Sequence, residues 1–415
     1  MKMRALPFLI LLLFTGCASI SYGEAENRST VSGRYKERPE SYREPESLNK
    51  FVSHLTSIGR NWRMHGIYIE TLDGGEPVAM LNEDARFNPA SVTKLATTLA
   101  ALDRLGNDHR FRTEFRTDGQ INAATGELNG DLVLLSGRDP SFSISDAERV
   151  GEAVRNAGIQ RINGRLIVVG DFSCNLISAT SASAEIFRRS SKLQFRNPTS
   201  YLSYSQYIPR GRSLITVESD TLVNIVQYLN AHSINTLAEL LASHIGGAEG
   251  VRRFLIEKIG MPEDSVFLSR ASGLEVNRLT PRETVRMIRA MVEWLSKNEL
   301  RPASVMAVAG IDAGTLRGRF TESGFAGSVV AKTGTLHTTD SGVAALAGVI
   351  YTRKRGPLLF AVYDGAENQN VQILRRAQDE FLKQVINECG GPVSIARFRI
   401  GRPQDKPQSH ISFSY

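Results

Sequence analysis

Val329-Val330-Ala331-Lys332-Thr333-Gly334-Thr335-Leu336 is the stretch on which the reading of this chain turns. Its first half is apolar and β-branched, and two further runs of the same character follow, Val343 to Tyr351 and Leu358 to Tyr363. Runs of this kind separated by short turns predict neighbouring antiparallel strands. An amphipathic helix from about Asn370 to Glu388 comes next. Far upstream, Ile67-Tyr68-Ile69-Glu70, Asp73-Gly74-Gly75 and Val78-Ala79-Met80 read as a β-hairpin between Gly66 and Leu81. Strands near both ends with helical patterning between them predict an α+β chain. Its antiparallel sheet is completed by the two ends and carries helices on both sides.

Between the hairpin and the last strands the pattern changes character. Asn88-Pro89-Ala90-Ser91 stops the strand, and Val92 to Leu105 predicts a helix with Leu95, Leu99 and Leu102 on one stripe and Gly106 as its C-cap. Residues 111–172 read as a smaller inserted β/α domain. Its strands fall near 111–117, 131–135 and 165–169, and its helix opens with the capping box Ser145-Asp146-Ala147-Glu148. Residues 173–220 carry no usable pattern. Helical patterning returns at Leu222, with a helix from near Ser233 to about Ile245, and Thr280-Pro281-Arg282-Glu283 opens another through Leu295. The expected division is a split main domain over 51–110 and 206–390, with the insert over 111–205.

The ends read differently. Lys2 and Arg4 precede a ten-residue apolar run, Ala5 to Phe14, too short to span a bilayer, so residues 1–23 read as an export signal. Leu13-Phe14-Thr15-Gly16-Cys17-Ala18-Ser19 resembles a bacterial lipoprotein signal, in which Cys17 would carry the lipid; cleavage near Gly23 is the alternative. Residues 24–50, nearly free of aliphatics, read as a flexible tether. The basic tail 391–415 reads as frayed or docked on an edge. Whether Cys174 and Cys389 pair is open.

Composition narrows the function classes. With 41% hydrophobic and 22% charged residues the chain of 415 residues is neither collagenous nor a multi-span membrane protein. A net charge of +7 without basic clusters interleaved with aromatics argues against nucleic acid, and suits an anionic polymer or membrane surface. The three cysteines and seven histidines show no metal-ligand spacing, so neither a metal nor a cofactor is expected.

Three short elements carry chemistry. Ser91 and Lys94 are one helical turn apart at a helix start, so hydroxyl and amine share a face. A lysine deprived of water beside positive charge loses its proton near neutral pH and can activate the serine. Ser233-Ile234-Asn235 supplies a second hydroxyl and an amide; taken alone it reads as a capping serine with a nearby asparagine. Lys332 and Thr333 offer a cation and a hydroxyl to a carboxylate, and Gly334 admits close approach to the strand. Ser91 to Ser233 spans 142 positions and Ser233 to Lys332 spans 99, so an insert fits in the first gap.

In that order the elements form the S-x-x-K, S-x-N and K-T-G set of the penicillin-recognising serine enzymes. The chain resembles the low-molecular-mass class C penicillin-binding proteins, the D-alanyl-D-alanine carboxypeptidase/endopeptidase family, with a β-lactamase/transpeptidase-like fold. Supporting segments are Phe87-Asn88-Pro89-Ala90-Ser91, Gly137-Arg138-Asp139-Pro140, Ala271-Ser272-Gly273-Leu274 and Ala309 to Leu316. The resemblance covers about residues 50–390 and is interrupted at 173–220.

The resemblance implies that Ser91 attacks the carbonyl between the last two D-alanines of a peptidoglycan stem peptide, or a D-alanyl cross-link. Lys94 would be the base, Ser233 a proton relay, and Asn235 would fix Lys94 and the substrate amide. Lys332 and Thr333 would bind the terminal carboxylate, and the backbone N–H groups of Ser91 and Thr335 would form the oxyanion hole. β-Lactams would acylate the same serine, and the compartment would be the periplasm or cell envelope. Departures are the single insert, Ile234 and Arg270 where aspartates are usual, and a longer loop over His337 to Ser341. Asp139 reads as a turn residue before Pro140, with a contact to a stem-peptide amine as the alternative. The rival functions are a β-lactamase, for which no deacylating base is visible between the second and third motifs, and a catalytically silent wall-binding lipoprotein.

Overall fold

The computed structural model describes residues 39, 41–367, 370–395 and 406–413. The export signal with Cys17 and most of the tether fall outside them. The first half of the chain builds α1 (Glu46–Ser57), β1 (His65–Thr71), β2 (Pro77–Leu81), α2 (Thr93–Leu105), β3 (Arg112–Thr117), β4 (Gln120–Asn122), β5 (Glu127–Asn129), β6 (Leu132–Leu135), α3 (Ile144–Asn156), β7 (Arg161–Ile162), β8 (Leu166–Val169), α4 (Thr180–Ser191), β9 (Gln194–Phe195) and β10 (Ser200–Leu202). The second half builds β11 (Arg212–Glu218), α5 (Leu222–His232), α6 (Asn235–Ser243), α7 (Gly247–Glu257), β12 (Phe267–Leu268), β13 (Asn277–Arg278), α8 (Pro281–Lys297), β14 (Ala307–Val308), β15 (Val329–Leu336), β16 (Val343–Thr352), β17 (Gly356–Gly365), α9 (Val371–Glu388) and β18 (His410–Phe413).

The main sheet runs β14-β15-β16-β17-β1-β2 and is antiparallel throughout. Early strand β1 lies against late strand β17, His65 opposite Asp364 and Thr71 opposite Leu358, so the sheet is completed by the two ends of the chain. Side chains alternate between faces. Ile67, Ile69, Phe360 and Val362 meet α1 and α9 through Leu48, Phe51, Leu55, Phe381 and Val385. Tyr68, Leu359, Ala361 and Tyr363 meet α2, α5, α6 and α8 through Leu95, Leu99, Ile225, Leu237 and Ile288. Burial on both faces is why these strands read as continuous apolar runs.

The insert has its own sheet, β10-β8-β6-β3-β11-β18, and its own core around Phe115, Phe142, Val150, Phe172, Phe187 and Ile215. Strands β10, β8 and β6 are parallel, whereas β3, β11 and β18 are antiparallel. The short strands β4-β5-β7-β9 form a separate sheet.

Several boundaries move. The tether was expected to run to residue 50, but α1 begins at Glu46 and buries Ser47 and Leu48. Leu48 and the distant Val31 are the only large aliphatic residues in that stretch, too few for periodicity to register. Strand β11, which lies beyond residue 205, pairs with β3 and so joins the sheet of the insert. The tail supplies β18, which covers the open edge of β11. The unpatterned stretch 173–220 holds α4 and the short strands β9 and β10 as well as β11. Helix α3 is capped by Ser143, whose side chain accepts from the Asp146 N–H, two residues ahead of the expected Ser145. Cys174 and Cys389 are both free and buried, one in the insert core and one at the C-cap of α9, so they form no disulfide. Among the described residues no helix is long and apolar enough to cross a membrane.

Candidate active site

Ser91 sits in a single 3-10 turn, Ala90–Val92, that runs into α2. Ala90 has φ 46, a left-handed conformation costly for a residue with a β-carbon. It is held there by Asn88, whose Oδ1 accepts the Ala90 N–H at 3.0 Å. The Asn88 amide donates to the Glu275 carbonyl at 2.9 Å and to Asp340 Oδ2 at 2.7 Å, and Arg278 clamps Asp340 at 2.8 and 3.0 Å. The longer loop after β15 thus braces the turn that presents Ser91.

Two glycines let backbone close around this turn. A β-carbon on Gly273, where φ is 78, would lie 1.8 Å from the Ala90 carbonyl oxygen, and one on Gly334 would lie 2.6 Å from that of Pro89. The first approach brings the Ser272 carbonyl to Lys94, and the second lays β15 against the Ser91 turn.

Lys94 is fully buried, and its Nζ lies 2.8 Å from Ser91 Oγ, 2.7 Å from Asn235 Oδ1 and 2.6 Å from the Ser272 carbonyl. Two of these partners are oxygens that only accept. A neutral amine has two hydrogens for them and a lone pair left for the Ser91 hydroxyl hydrogen, whereas an ammonium would have none. Burial favours the neutral form and pushes the Lys94 pKa down to about 7, against the opposing charge of Glu239. Glu239 lies one turn beyond Asn235 on α6, and its Oε1 accepts the Ser272 N–H at 2.9 Å.

Ser233 closes α5 as a left-handed C-cap, φ 57 and ψ 46, rather than capping the start of α6. That turn points Ser233 Oγ to Lys332 Nζ at 2.8 Å and delivers Asn235 to Lys94. Lys332 is also fully buried and donates to the Thr333 carbonyl at 2.6 Å. Burial, with the neighbouring Lys94 charge, holds its pKa well below the ordinary lysine value. Thr333 Oγ1 donates to Thr315 Oγ1 at 2.8 Å, and Thr335 Oγ1 to the Gly334 carbonyl at 2.7 Å while accepting from Arg375 Nη2.

Among the described residues the edge of β15 has no strand partner here. Strand β14 covers only Val330 and Ala331, and the Val329 carbonyl accepts from Ala309 N–H on that side whereas the Ser328 carbonyl accepts from Tyr351 N–H on the other. Antiparallel alternation then turns the N–H and C=O groups of Thr333 and Thr335 to the uncovered edge. An extended peptide can add there as a further strand, its carbonyl beside Ser91.

All eight residues singled out in the sequence, Ser91, Lys94, Ser233, Asn235, Lys332, Thr333, Gly334 and Thr335, therefore meet at one cleft between β15 and the α2 and α5–α6 termini. Asn88, the Ser272 carbonyl, Thr315, Glu239 and Arg375 join them. Asn88, Ser272 and Thr315 lie in the supporting segments noted above, but nothing in the sequence marks Glu239 or Arg375. Asp139 is not in the cleft contacts. It is buried in the insert, where its Oδ1 accepts from Ser141 N–H at 2.8 Å and Ser141 Oγ at 2.6 Å, the turn its place before Pro140 predicts.

Comparison with known families matches residues 48–176 and 177–385 to the D-Ala-D-Ala carboxypeptidase 3 (S13) family. The chain belongs to that family. The match runs through residues 173–220, where the sequence resemblance is interrupted. Among curated S13-like relatives, the D-alanyl-D-alanine carboxypeptidase of Actinomadura sp. (strain R39) is 32% identical over 24% of this chain and 18% of its own length. Carboxypeptidase DacB of Mycolicibacterium smegmatis is 29% identical over 43% of this chain and 40% of its own length. The chain thus matches less than half the length of either. A predatory peptidoglycan endopeptidase of Bdellovibrio bacteriovorus has the same fold, with a TM-score of 0.70 over 83% of this chain and 98% of that one, at 20% identity.

Proposed function

We propose that this S13 family member is a serine-type D-alanyl-D-alanine carboxypeptidase/endopeptidase that works on peptidoglycan stem peptides in the bacterial cell envelope. One observation carries the reading: Lys94 Nζ bridges Ser91 Oγ and Asn235 Oδ1 with a lone pair free for the hydroxyl proton. Ser91 Oγ attacks the D-alanyl carbonyl as Lys94 takes its proton. The oxyanion is met by the backbone N–H groups of Ser91 and Thr335. Ser233, between Lys332 and the leaving group, passes a proton to the departing amine as the C–N bond breaks. Water then attacks the acyl-enzyme ester, releasing the shortened peptide and restoring the Ser91 hydroxyl. Lys332 and Thr333 hold the carboxylate of the leaving residue. A β-lactam acylates Ser91 by the same step, but its amine stays tethered at the ester and hinders water.

The test is labelling with a fluorescent penicillin. The folded wild-type protein is expected to form a stable adduct that Ser91→Ala does not, and to release D-alanine or split cross-links from purified muropeptides. Absence of any adduct on folded protein overturns the reading in favour of a silent wall-binding protein, and rapid penicillin turnover in favour of a β-lactamase. With the envelope location we also propose an anchor at lipidated Cys17. Cys17→Ser should move the protein from the membrane to the soluble fraction, and an unchanged distribution would remove the anchor.

A further inference from the structure

Thr333 and Thr335 are two residues apart on β15, so their side chains share one face of the strand. The hydroxyl of the first bonds Thr315 Oγ1, and that of the second accepts from Arg375 Nη2. Arg375 comes from the second turn of α9, and its remaining side-chain contact is Nη1 to Gln372 Oε1 at 3.3 Å. The nearby carboxylate, Asp379, is taken by Arg319, which reaches it through Nε at 2.8 Å and Nη2 at 2.6 Å and adds Gln378 Oε1 at 3.1 Å. Among the described residues Arg375 therefore has no carboxylate in ion-pair contact; it is half-buried, and the Asp379 charge reaches it only at longer range, set against that of Arg319. A half-buried guanidinium with no carboxylate in contact is costly, and it cannot escape by losing its proton at neutral pH. Lys332 can, because burial already drives its ammonium toward the neutral form. The dependable positive charge at this end of the cleft is Arg375.

We propose that Arg375 is the positioning residue for carboxylate recognition: it fixes Thr335 Oγ1 as a hydrogen-bond donor and supplies the charge that selects a free α-carboxylate on the leaving residue. The mechanics follow from the hydroxyl. With one lone pair of Thr335 Oγ1 occupied by the guanidinium, its hydrogen must go to an acceptor, now the Gly334 carbonyl. A substrate carboxylate on the open edge offers a better, charged acceptor, and the hydroxyl turns to it without leaving Arg375. Substrates whose last residue is amidated or esterified would lack the partner for this charge and leave it uncompensated.

The inference rests on the hydrolase reading, and its test separates the two. An acylated D-alanyl-D-alanine peptide with a free C-terminal carboxylate is compared with its C-terminal carboxamide, using the full chain and the variants Arg375→Gln, Arg375→Lys and Arg375→Ala. Arg375→Gln should lower kcat/KM on the acid roughly 10- to 100-fold, the worth of a charge-assisted hydrogen bond, and change it less than about twofold on the carboxamide. Arg375→Lys should keep most of the preference for the acid. Equal loss on both peptides, no loss on either, or a wild-type enzyme indifferent to amidation overturns the role of Arg375 while the hydrolase stands. A wild-type protein that cleaves neither peptide and forms no penicillin adduct overturns the hydrolase reading itself. If Arg375→Ala does not fold, the glutamine and lysine variants, which keep most of the side-chain stem, carry the comparison.

Discussion

In the insert, Asp146 is buried with its Oδ2 accepting from Ser143 N–H and Oγ, each at 2.7 Å, and its Oδ1 from Arg149 at 2.5 Å and from Ser409 Oγ. In the cleft, Lys94 and Lys332 are buried just as fully, but the oxygens nearest their amines are hydroxyls, an amide and carbonyls, with no carboxylate in ion-pair contact. Both regions take charge out of water, which is expensive. The insert offsets the cost locally, so its carboxylates cap a helix and close a turn. The cleft leaves the cost standing, and the consequence is a displaced protonation equilibrium on Lys94 and a positive site that an anionic ligand would complete. Burial alone therefore does not mark function; burial without a counter-charge does.

The most severe way to break this contrast is Lys94→Met, which keeps the bulk and removes the amine. Acylation by penicillin should fall about 10²- to 10⁴-fold, the range for a positioned general base. Thermal stability should be retained, because an apolar side chain suits that site at least as well as a desolvated amine. The wild type should also acylate faster as pH rises through about 7, since only the neutral amine accepts the Ser91 proton, and this dependence should vanish in the variant. A flat wild-type profile between pH 6 and 8 would show that Lys94 does not set the rate.

The converse experiment is Asp146→Ala in the insert. Losing the capping box at Ser143 and the bonds to Arg149 and Ser409 should cost about 1–3 kcal/mol of insert stability. Hydrogen exchange should speed up in α3 and in β18, where Ser409 is the neighbouring anchor. Penicillin acylation by the folded protein should stay within about twofold of wild type. A large loss of acylation with no loss of protection in α3 would mean that the insert's buried carboxylate serves the cleft after all.

The sequence made some of this contrast legible and hid the rest for identifiable reasons. Lys332, Thr333 and Gly334 were readable because they interrupt an apolar strand with residues a strand does not need. Ser91 and Lys94 were readable because one helical turn separates them. The left-handed cap at Ser233 is hidden because a serine two residues before an asparagine is equally at home at the start of a helix. Helix α1 escapes the sequence because it is recognisable only by its partner, Phe381 for Phe51, whereas of the two readings of the tail the edge-docked one holds for His410–Phe413, which pairs with β11. Arg375 and Glu239 look like ordinary charges on helix faces, and only the folded chain reveals that one touches Thr335 and the other lies near Lys94.

Asp139 is the finest test of the contrast, because it is buried in the insert yet titrates like a cleft residue. Burial pushes its pKa up to about 7, against the hydrogen bonds from Ser141 and aided by the charge of Asp146. The folded state thus holds a proton that the unfolded chain, with an ordinary carboxyl near 3.8, releases earlier. The stability Asp139 contributes is fully present below about pH 4 and is lost as pH rises through about 7. Asparagine has the same shape, keeps an oxygen to accept from Ser141 N–H and Oγ, and carries no charge at any pH. The melting temperature of Asp139→Asn relative to wild type should therefore climb between pH 4 and 8, by about 2–4 °C for each kcal/mol of relief. Its rate on muropeptides should be unchanged within about twofold, whether or not they carry a free stem-peptide amine. A stability difference that ignores pH, with a rate lost only on amine-bearing peptides, would instead make Asp139 a substrate contact and move it to the side of Lys94 and Lys332.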